Sequence, residues 1–309
     1  MTKPIVLSLG ELLWDMLPSG KRAGGAPVNF AYHAKMNGAD GWSISAVGED
    51  ALGDELLAEA EKAGIHSIIQ RNAWPTSTVE VSLKNGIPEY TIVKGVAWDH
   101  LLLTRQLIEV VEQADAICYG TLALRSPETH DTIIELLKHT KPGAMKFFDI
   151  NLRGDHYSKE LIEELLKAAT VFKINDEELL LLRDMFDIRG TSDDDACRWF
   201  MSEYGLDYVI LTGGSTFSTI ISKNGESYHA GHPARRGRRH RRRRRLLLRH
   251  VHRPYAARRH AGRGAPQGRE HRRVRLHRQR RLAGVPGHHA RLPRAGRAVT
   301  RPQDAPTIK

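Results

Sequence analysis

Four short stretches of this chain set amide, carboxylate or guanidinium side chains beside glycines or at the end of an apolar run, where a polar ligand could be held. In the first, Gly10-Glu11-Leu12-Leu13-Trp14-Asp15 is followed by Gly24-Gly25-Ala26-Pro27-Val28-Asn29. Paired glycines allow close approach to the backbone, Pro27 suits a first helical turn, and Asp15 and Asn29 can both hydrogen-bond hydroxyl groups. Gly-Gly-Ala-Pro alone also reads as a tight turn before a helix; its combination with Asp15 is what points to a ligand. The second stretch, Phe148-Asp149-Ile150-Asn151-Leu152-Arg153, delivers an amide and a guanidinium fork directly after an apolar run, with a surface loop as the alternative. In the third, Lys173-Ile174-Asn175-Asp176-Glu177-Glu178, Asn175 can cap a helix whose first-turn acids favour the helix dipole. The fourth, Val209-Ile210-Leu211-Thr212-Gly213-Gly214, is a buried strand running into a glycine turn.

Groups of this kind need a scaffold that brings them together. Short β-rich runs alternate with helical periodicity, the pattern of an α/β domain with a doubly wound, mostly parallel sheet. Strands are predicted at Ile5–Leu9, Ser43–Val47, Ala116–Tyr119, Met145–Ile150, Val171–Ile174 and Tyr208–Thr212. Helices are predicted at Val28–Met36, Leu52–Ala63, Glu128–His139, Lys159–Ala168, Glu177–Met185 and Asp193–Tyr204. One stretch breaks the alternation: Thr78–Lys84 and Tyr90–Val93 flank Asn85-Gly86, which reads as a β-hairpin. With the segment near residues 10–24, the region 76–99 is expected to form a small β lid over the sheet. In open parallel sheets, ligands bind at the carboxyl ends of the strands, where the second, third and fourth stretches fall.

Gly24 to Asn29 followed by Phe30-Ala31 resembles the N-terminal signature of the ribokinase/PfkB family of carbohydrate kinases. Val47-Gly48-Glu49-Asp50 with Gly53 and Leu56-Leu57 resembles the next block of that family. Gly10-Glu11-Leu12-Leu13-Trp14-Asp15 is most similar to fructokinases. The resemblance covers about three quarters of the chain in four ordered motifs. It implies ATP-dependent phosphorylation of a sugar hydroxyl, with fructose as acceptor and ATP and Mg²⁺ as cofactors. It further implies that Asp15, Gly24, Gly25 and Asn29 line the sugar pocket, with Ala97 and Asp99 near it, although Asp99 reads equally as a helix cap. Asn151 would hold a sugar hydroxyl and Arg153 the transferring phosphate through its bidentate fork. Asn175 and Glu178 occupy the two named places of the family's Asn-x-x-Glu motif, where Glu178 suits a hydrated Mg²⁺ reached through water. Thr212, Gly213 and Gly214 would face the nucleotide, with turn N–H groups meeting phosphate oxygens. The fold does not fix the acceptor, so a ribokinase, a ketodeoxygluconate kinase or an adenosine kinase remains an alternative.

That family next requires a Gly-Ala-Gly-Asp element, whose amides at a helix N-terminus stabilise charge and whose Asp is the general base. After Ala230 the chain instead reads Arg238-Arg239-His240-Arg241-Arg242-Arg243-Arg244-Arg245-Leu246. With CGN arginine codons, advancing the frame by one base turns each Arg-Arg junction into GNC, which encodes Val, Ala, Asp or Gly. The shifted run is compatible with Val-Asp-Thr-Val-Gly-Ala-Gly-Asp-Ser, its base straddling Arg245 and Leu246. The same shift makes Gln267 through Leu282 compatible with an apolar, helix-like segment. Residues 1–231 therefore read as a truncated kinase domain and 232–309 as an out-of-frame tail, the shift falling between about Ala230 and Gly237. No catalytic base stands in this frame, so the translated chain is expected to be inactive.

Composition agrees with this division. Residues 232–309 contain 25 Arg and one Lys against Glu270 and Asp304, which puts +24 in the tail and −13 in the rest of a chain whose total is +11. The tail has one Tyr, one Ile and no Phe, Trp or Met, too little apolar surface to offset ordering entropy, so disorder is expected. Taken literally, such a polycation binds nucleic acid through phosphates. It lacks interleaved aromatics and a folded reader motif, so no specific nucleic-acid partner is expected. Cys118 and Cys197 lack metal-type spacing and read as reduced, buried or incidental thiols. Neither an N-terminal signal nor a run of 18 apolar residues is present. A soluble cytoplasmic enzyme acting on a small-molecule sugar is expected, without membrane contact; in the resembling family, lid strands often pair between subunits of a homodimer.

Overall fold

The computed structural model describes residues 2–17, 19–84, 87–190 and 192–231. Asn85-Gly86 and the tail 232–309, with Arg245 and Leu246 and the expectation of disorder, lie outside the described residues.

The chain opens with β1 (Ile5–Leu9), β2 (Leu13–Leu17) and β3 (Gly20–Gly24), then α1 (Ala26–Met36), β4 (Asp40–Gly48), α2 (Ala51–Lys62) and β5 (His66–Asn72). The pair β6 (Thr78–Lys84) and β7 (Ile87–Ile92) precedes a 3₁₀ turn at Ala97–His100, followed by α3 (Arg105–Val111) and β8 (Ala116–Tyr119). A second 3₁₀ turn at Leu122–Arg125 leads into α4 (Pro127–Lys138), β9 (Met145–Asp149), α5 (Lys159–Ala168) and β10 (Val171–Asn175). The last described elements are α6 (Asp176–Met185), α7 (Asp193–Tyr204), β11 (Tyr208–Thr212), β12 (Phe217–Ser222) and β13 (Ser227–Gly231).

Nine strands form one sheet in the order β13-β12-β11-β10-β9-β8-β1-β4-β5. All pairs from β5 across to β11 are parallel, and β11-β12 and β12-β13 are antiparallel. Parallel neighbours cannot be joined by a tight turn, which is why helices recur between them. Strand order reverses at β1: the chain first builds outward through β4 and β5, then returns to the other side of β1 with β8. That reversal opens a crevice at the carboxyl ends of β1 and β8, the usual ligand position in such sheets.

Two separate apolar clusters pack the domain. One joins α1, α2 and parts of β2 and β4 through Leu12, Trp14, Val28, Ala31, Val47 and Leu56. The larger one includes Leu7, Leu9, Ile117, Ile133, Leu165 and Leu182. A row of rings, Tyr119, Phe148, Phe172 and Phe200, runs across β8, β9, β10 and α7 with successive centroids 5.6, 5.5 and 5.6 Å apart. All four are fully buried, each worth about 1.5–3 kcal/mol of transfer free energy, and they hold three strand ends in fixed relation. Helix starts are set locally: Asp50, Thr104, Ser158, Asn175 and Ser192 each accept a backbone N–H of the first turn.

The small sheet, β3-β2-β6-β7, is the expected lid, although β2 and β6 pair in parallel while its other pairs are antiparallel. Its last strand begins at Ile87 rather than Tyr90, since the ladder continues to Lys84↔Ile87. Sequence periodicity also left out β5, α3, β12 and β13. The edge strand His66–Asn72 is mostly exposed or half-buried without clean alternation, α3 has only seven residues, and β13 is exposed throughout. Among the described residues no helix is long and apolar enough to cross a membrane, and Cys118 and Cys197 are free and buried.

Candidate active site

The recess at the strand reversal is walled by Glu11 beyond β1, Pro27 at the start of α1, Cys118 and Thr121 at the end of β8, and Asp149 and Asn151 at the end of β9. Its shape depends on close backbone approaches. Gly25 has φ 126°, and a Cβ there would lie 2.2 Å from the carbonyl oxygen of Glu11; a Cβ on Gly24 would lie 2.8 Å from Asp15 Oδ2. Gly25 is thus demanded by dihedral angle and by crowding against backbone, whereas at Gly24 the crowding is against the end of the Asp15 side chain.

Asp15, on β2, is half-buried, and burial raises its carboxyl above the usual carboxylate range against the pull of Arg153. Asn29, one turn into α1, keeps its Oδ1 buried with no hydrogen-bond donor, and an acceptor of this kind ordinarily has a partner. Asn151 stands at φ 38°, in the left-handed region that Asn tolerates better than most residues. The loop below it is fixed by Thr121 Oγ1 donating to the carbonyl of Ile150 at 2.7 Å. Arg153 is exposed, donates to the carbonyl of Leu152 at 3.0 Å, and its charge reaches Glu11 and Asp15.

Sheet register assembles the next groups. Lys173 on β10 pairs with Asp149 on β9, and Lys173 Nζ meets Asp149 Oδ1 at 2.7 Å. Asn175 pairs with Thr212 on β11, so the third and fourth motifs are lateral neighbours. Asn175 Oδ1 accepts the N–H of Glu178 at 2.8 Å, and Glu178 Oε2 accepts the N–H of Asn175 at 3.0 Å, a reciprocal capping box. The other oxygen, Glu178 Oε1, accepts the N–H of Leu152 at 3.0 Å, tying the β10 motif to the β9 loop. Burial raises the Glu178 carboxyl and these donors oppose it.

Each Glu178 oxygen has one protein donor and so retains a lone pair, which fits contact with a hydrated Mg²⁺ through water. A cage of protein ligands does not fit, since no three His, Cys, Asp or Glu side chains cluster among the described residues. In the fourth motif the N–H of Gly213 is spent on the carbonyl of Phe217 at 2.9 Å, and a Cβ at Gly213 would collide with the Phe217 ring.

Of the predicted acceptor and phosphate residues Asn151 lines the recess; Ala97 and Asp99 do not, and neither do Asp15, Gly24, Gly25, Asn29 or Arg153. Ala97 is fully buried, and the Asp99 carboxylate accepts the N–H groups of Gly95 and Val96 at 2.8 and 3.2 Å and pairs with Arg125 at 2.8 and 2.9 Å. Arg125 also donates to the carbonyl of Val93 at 2.5 Å and lies over the Trp98 ring at 4.1 Å. This buried pair clamps the linker by which β7 leaves the lid. Sequence reasoning assigned no role to Glu11, Asp149, Lys173 or Arg125. The available signal was the presence of single charged residues inside otherwise apolar runs.

Known proteins bear on this arrangement. An uncharacterized sugar kinase of Pyrococcus horikoshii is 27% identical over 229 residues, 66% of this chain and 74% of that protein. A fructokinase of Rhizobium leguminosarum bv. trifolii is 24% identical over 237 residues, 71% of this chain and 70% of the other. The crystal structure of a fructokinase from Xylella fastidiosa superposes with a TM-score of 0.63 at 20% identity, covering 76% of each chain, which identifies the fold as ribokinase-like. Residues 19–236 match the model of the pfkB family of carbohydrate kinases, a span that contains the glycine pair, Asn29, Asn151, the capping box and the Thr-Gly-Gly turn, and on this ground the chain belongs to that family.

Proposed function

We propose that this chain derives from an ATP- and Mg²⁺-dependent fructokinase that phosphorylates the hydroxymethyl oxygen of a ketohexose, and that as translated it has lost turnover. The observation that carries this reading is the register of β9, β10 and β11, which puts Asp149 beside Lys173 and Asn175 beside Thr212 at one sheet end. A phosphate donor on the Thr212 side and a hydroxyl acceptor in the recess would then meet across the Asn151 loop.

Asp15, Asn29 and Asn151 hold the acceptor's hydroxyls, with Gly24 and Gly25 leaving room for it. The unpartnered Oδ1 of Asn29 suits a hydroxyl donor. Arg153 contacts the transferring phosphoryl group. Glu178 would hold Mg²⁺ through water, with Asn175 fixing its carboxylate; the ion supplies neutralisation of phosphate charge when bound. Thr212 and Gly214 face the nucleotide, while Gly213, with its N–H engaged by Phe217 and its open side filled by the Phe217 ring, shapes the turn. ATP as donor is supported by the Xylella fastidiosa fructokinase, whose structure contains bound ATP. Asp99 and Ala97 belong to the lid linker on this reading. The lid over the recess excludes water, which would otherwise compete with the sugar for the phosphoryl group.

The general base and anion hole fall in the frame-shifted interval, and residues 1–231 form the kinase part. Sequencing the coding DNA between codons 230 and 237 is expected to reveal one base gained or lost; AGA or AGG codons through Arg238–Arg245 would refute the shift. Assay of this chain beside a frame-restored one, with fructose, glucose, ribose and adenosine, is expected to give turnover only in the restored chain and fastest with fructose. Equal turnover in both would show that the base is not missing.

A further inference from the structure

Glu11 sits in the hinge between β1 and β2 and is only 3% exposed. Helix α1, which carries Asn29, has no cap of its own: Gly25 has no side chain to offer, and the first turn contains no acid. The orphan N–H of Ala26 is met from elsewhere in the fold, by Glu11 Oε1 at 3.1 Å. The main-chain oxygen of the same residue packs against Gly25 so closely that no Cβ fits between them. Side chain and backbone of Glu11 therefore brace one turn from the direction of the recess.

We propose that Glu11 is a positioning residue of the acceptor pocket, a helix cap supplied from the lid hinge that holds the Gly24-Gly25 turn closed and so sets the place of Asn29. The proposal rests on the reading of Asn29 as an acceptor contact.

A cap of this kind responds to pH. Burial outweighs the two N–H donors at its oxygens and pushes the Glu11 carboxyl up to about 7. Of the charged groups around it, Arg153 favours ionisation and Asp149 on β9 opposes it. Lys173 on β10 is paired with Asp149, the Cys118 thiol on β8 is kept protonated by burial, and Asp15 on β2 shares the field of Arg153. Opening the turn to water would return Glu11 to its ordinary value of 4.5. The closed turn thus binds the proton more tightly than the open one. Closure is strongest below the ordinary value, weakens as pH rises towards 7, and levels off above it.

Amide hydrogen exchange of the full 309-residue chain tests this, read on the peptide spanning residues 26–29, corrected for intrinsic rates, with an α5 peptide as control. Between pH 6 and 8 the parent is expected to lose protection about tenfold. Glu11→Gln keeps an acceptor for Ala26 and cannot ionise, so it stays protected at both pH values, whereas Glu11→Ala loses protection at both. A pH-independent parent, or the same slope in Glu11→Gln, would overturn the proposal. Should Glu11→Ala not fold, the parent and Glu11→Gln decide alone. Calorimetry with D-fructose separates the two readings: a pH slope without binding counts against the acceptor site, and binding without a slope counts against the cap.

Discussion

Buried polar side chains in this molecule differ in the partners they find. Asp99 and Arg125 are both almost fully buried and pair with one another and with backbone groups through the Arg125 Nε and Nη2, while its Nη1 is buried without a partner, so removing either strands a charge in a dry place. Arg125→Ala is expected to cost about 3–5 kcal/mol, measured as a shift in the urea unfolding midpoint at unchanged slope. A cost below about 1 kcal/mol would mean that the pair is not the clamp on the lid linker. Asn29 is the opposite case, with a buried oxygen and no donor. The Asp99–Arg125 pair is a structural brace, whereas the Asn29 oxygen is, on the proposed reading, open to a hydroxyl donor.

Among the elements, the junction between lid and sheet is held at several points, and Asp50 holds two of them. Its carboxylate caps α2 through the N–H of Gly53 at 2.8 Å and also accepts from the N–H and Oγ1 of Thr76 at 2.8 and 2.6 Å, just before β6 begins. Burial works against ionisation, but these donors prevail and hold the Asp50 carboxyl below the usual range. The resulting stability is present above the unfolded value of 3.8 and is lost as pH falls through the lower folded value. Asp50→Ala is expected to cost about 1–2 kcal/mol at pH 7 and to be less costly at pH 2–3, by urea denaturation at each pH. A cost independent of pH would show that the charge contributes nothing to the cap.

Taken whole, the described domain has a compact centre and an open end. The β11-β12-β13 end of the sheet exposes Tyr208, Ile220 and Tyr228 at 40, 40 and 63%, a concentration of apolar surface beside the strand that carries the Thr-Gly-Gly turn. If the frame-restored segment contains the proposed apolar helix, this is where burial can be gained. The restored chain is then expected to melt higher than the present one, by about 2–4 °C for each kcal/mol gained, in a calorimetric scan. An unchanged or lower midpoint would argue that the restored segment does not pack on the domain. On the proposed frame shift, the large charge difference between the acidic body and the Arg-rich tail needs no nucleic-acid partner to explain it.

Local patterns sufficed for the six core strands and six main helices, because continuous apolar runs and caps such as Asn175 and Ser192 are short-range signals. The order of the motifs and the glycine pair also sufficed to identify the family resemblance. Pairing decided the rest. That Asn175 stands beside Thr212 and Lys173 beside Asp149 follows from strand register, which depends on residues far apart in the chain. Glu11 in the wall of the recess and Asp99 against Arg125 look alike in sequence, as lone acids among apolar neighbours. Only the tertiary structure distinguishes them, because the dielectric and the donors around a buried carboxyl come from other parts of the fold.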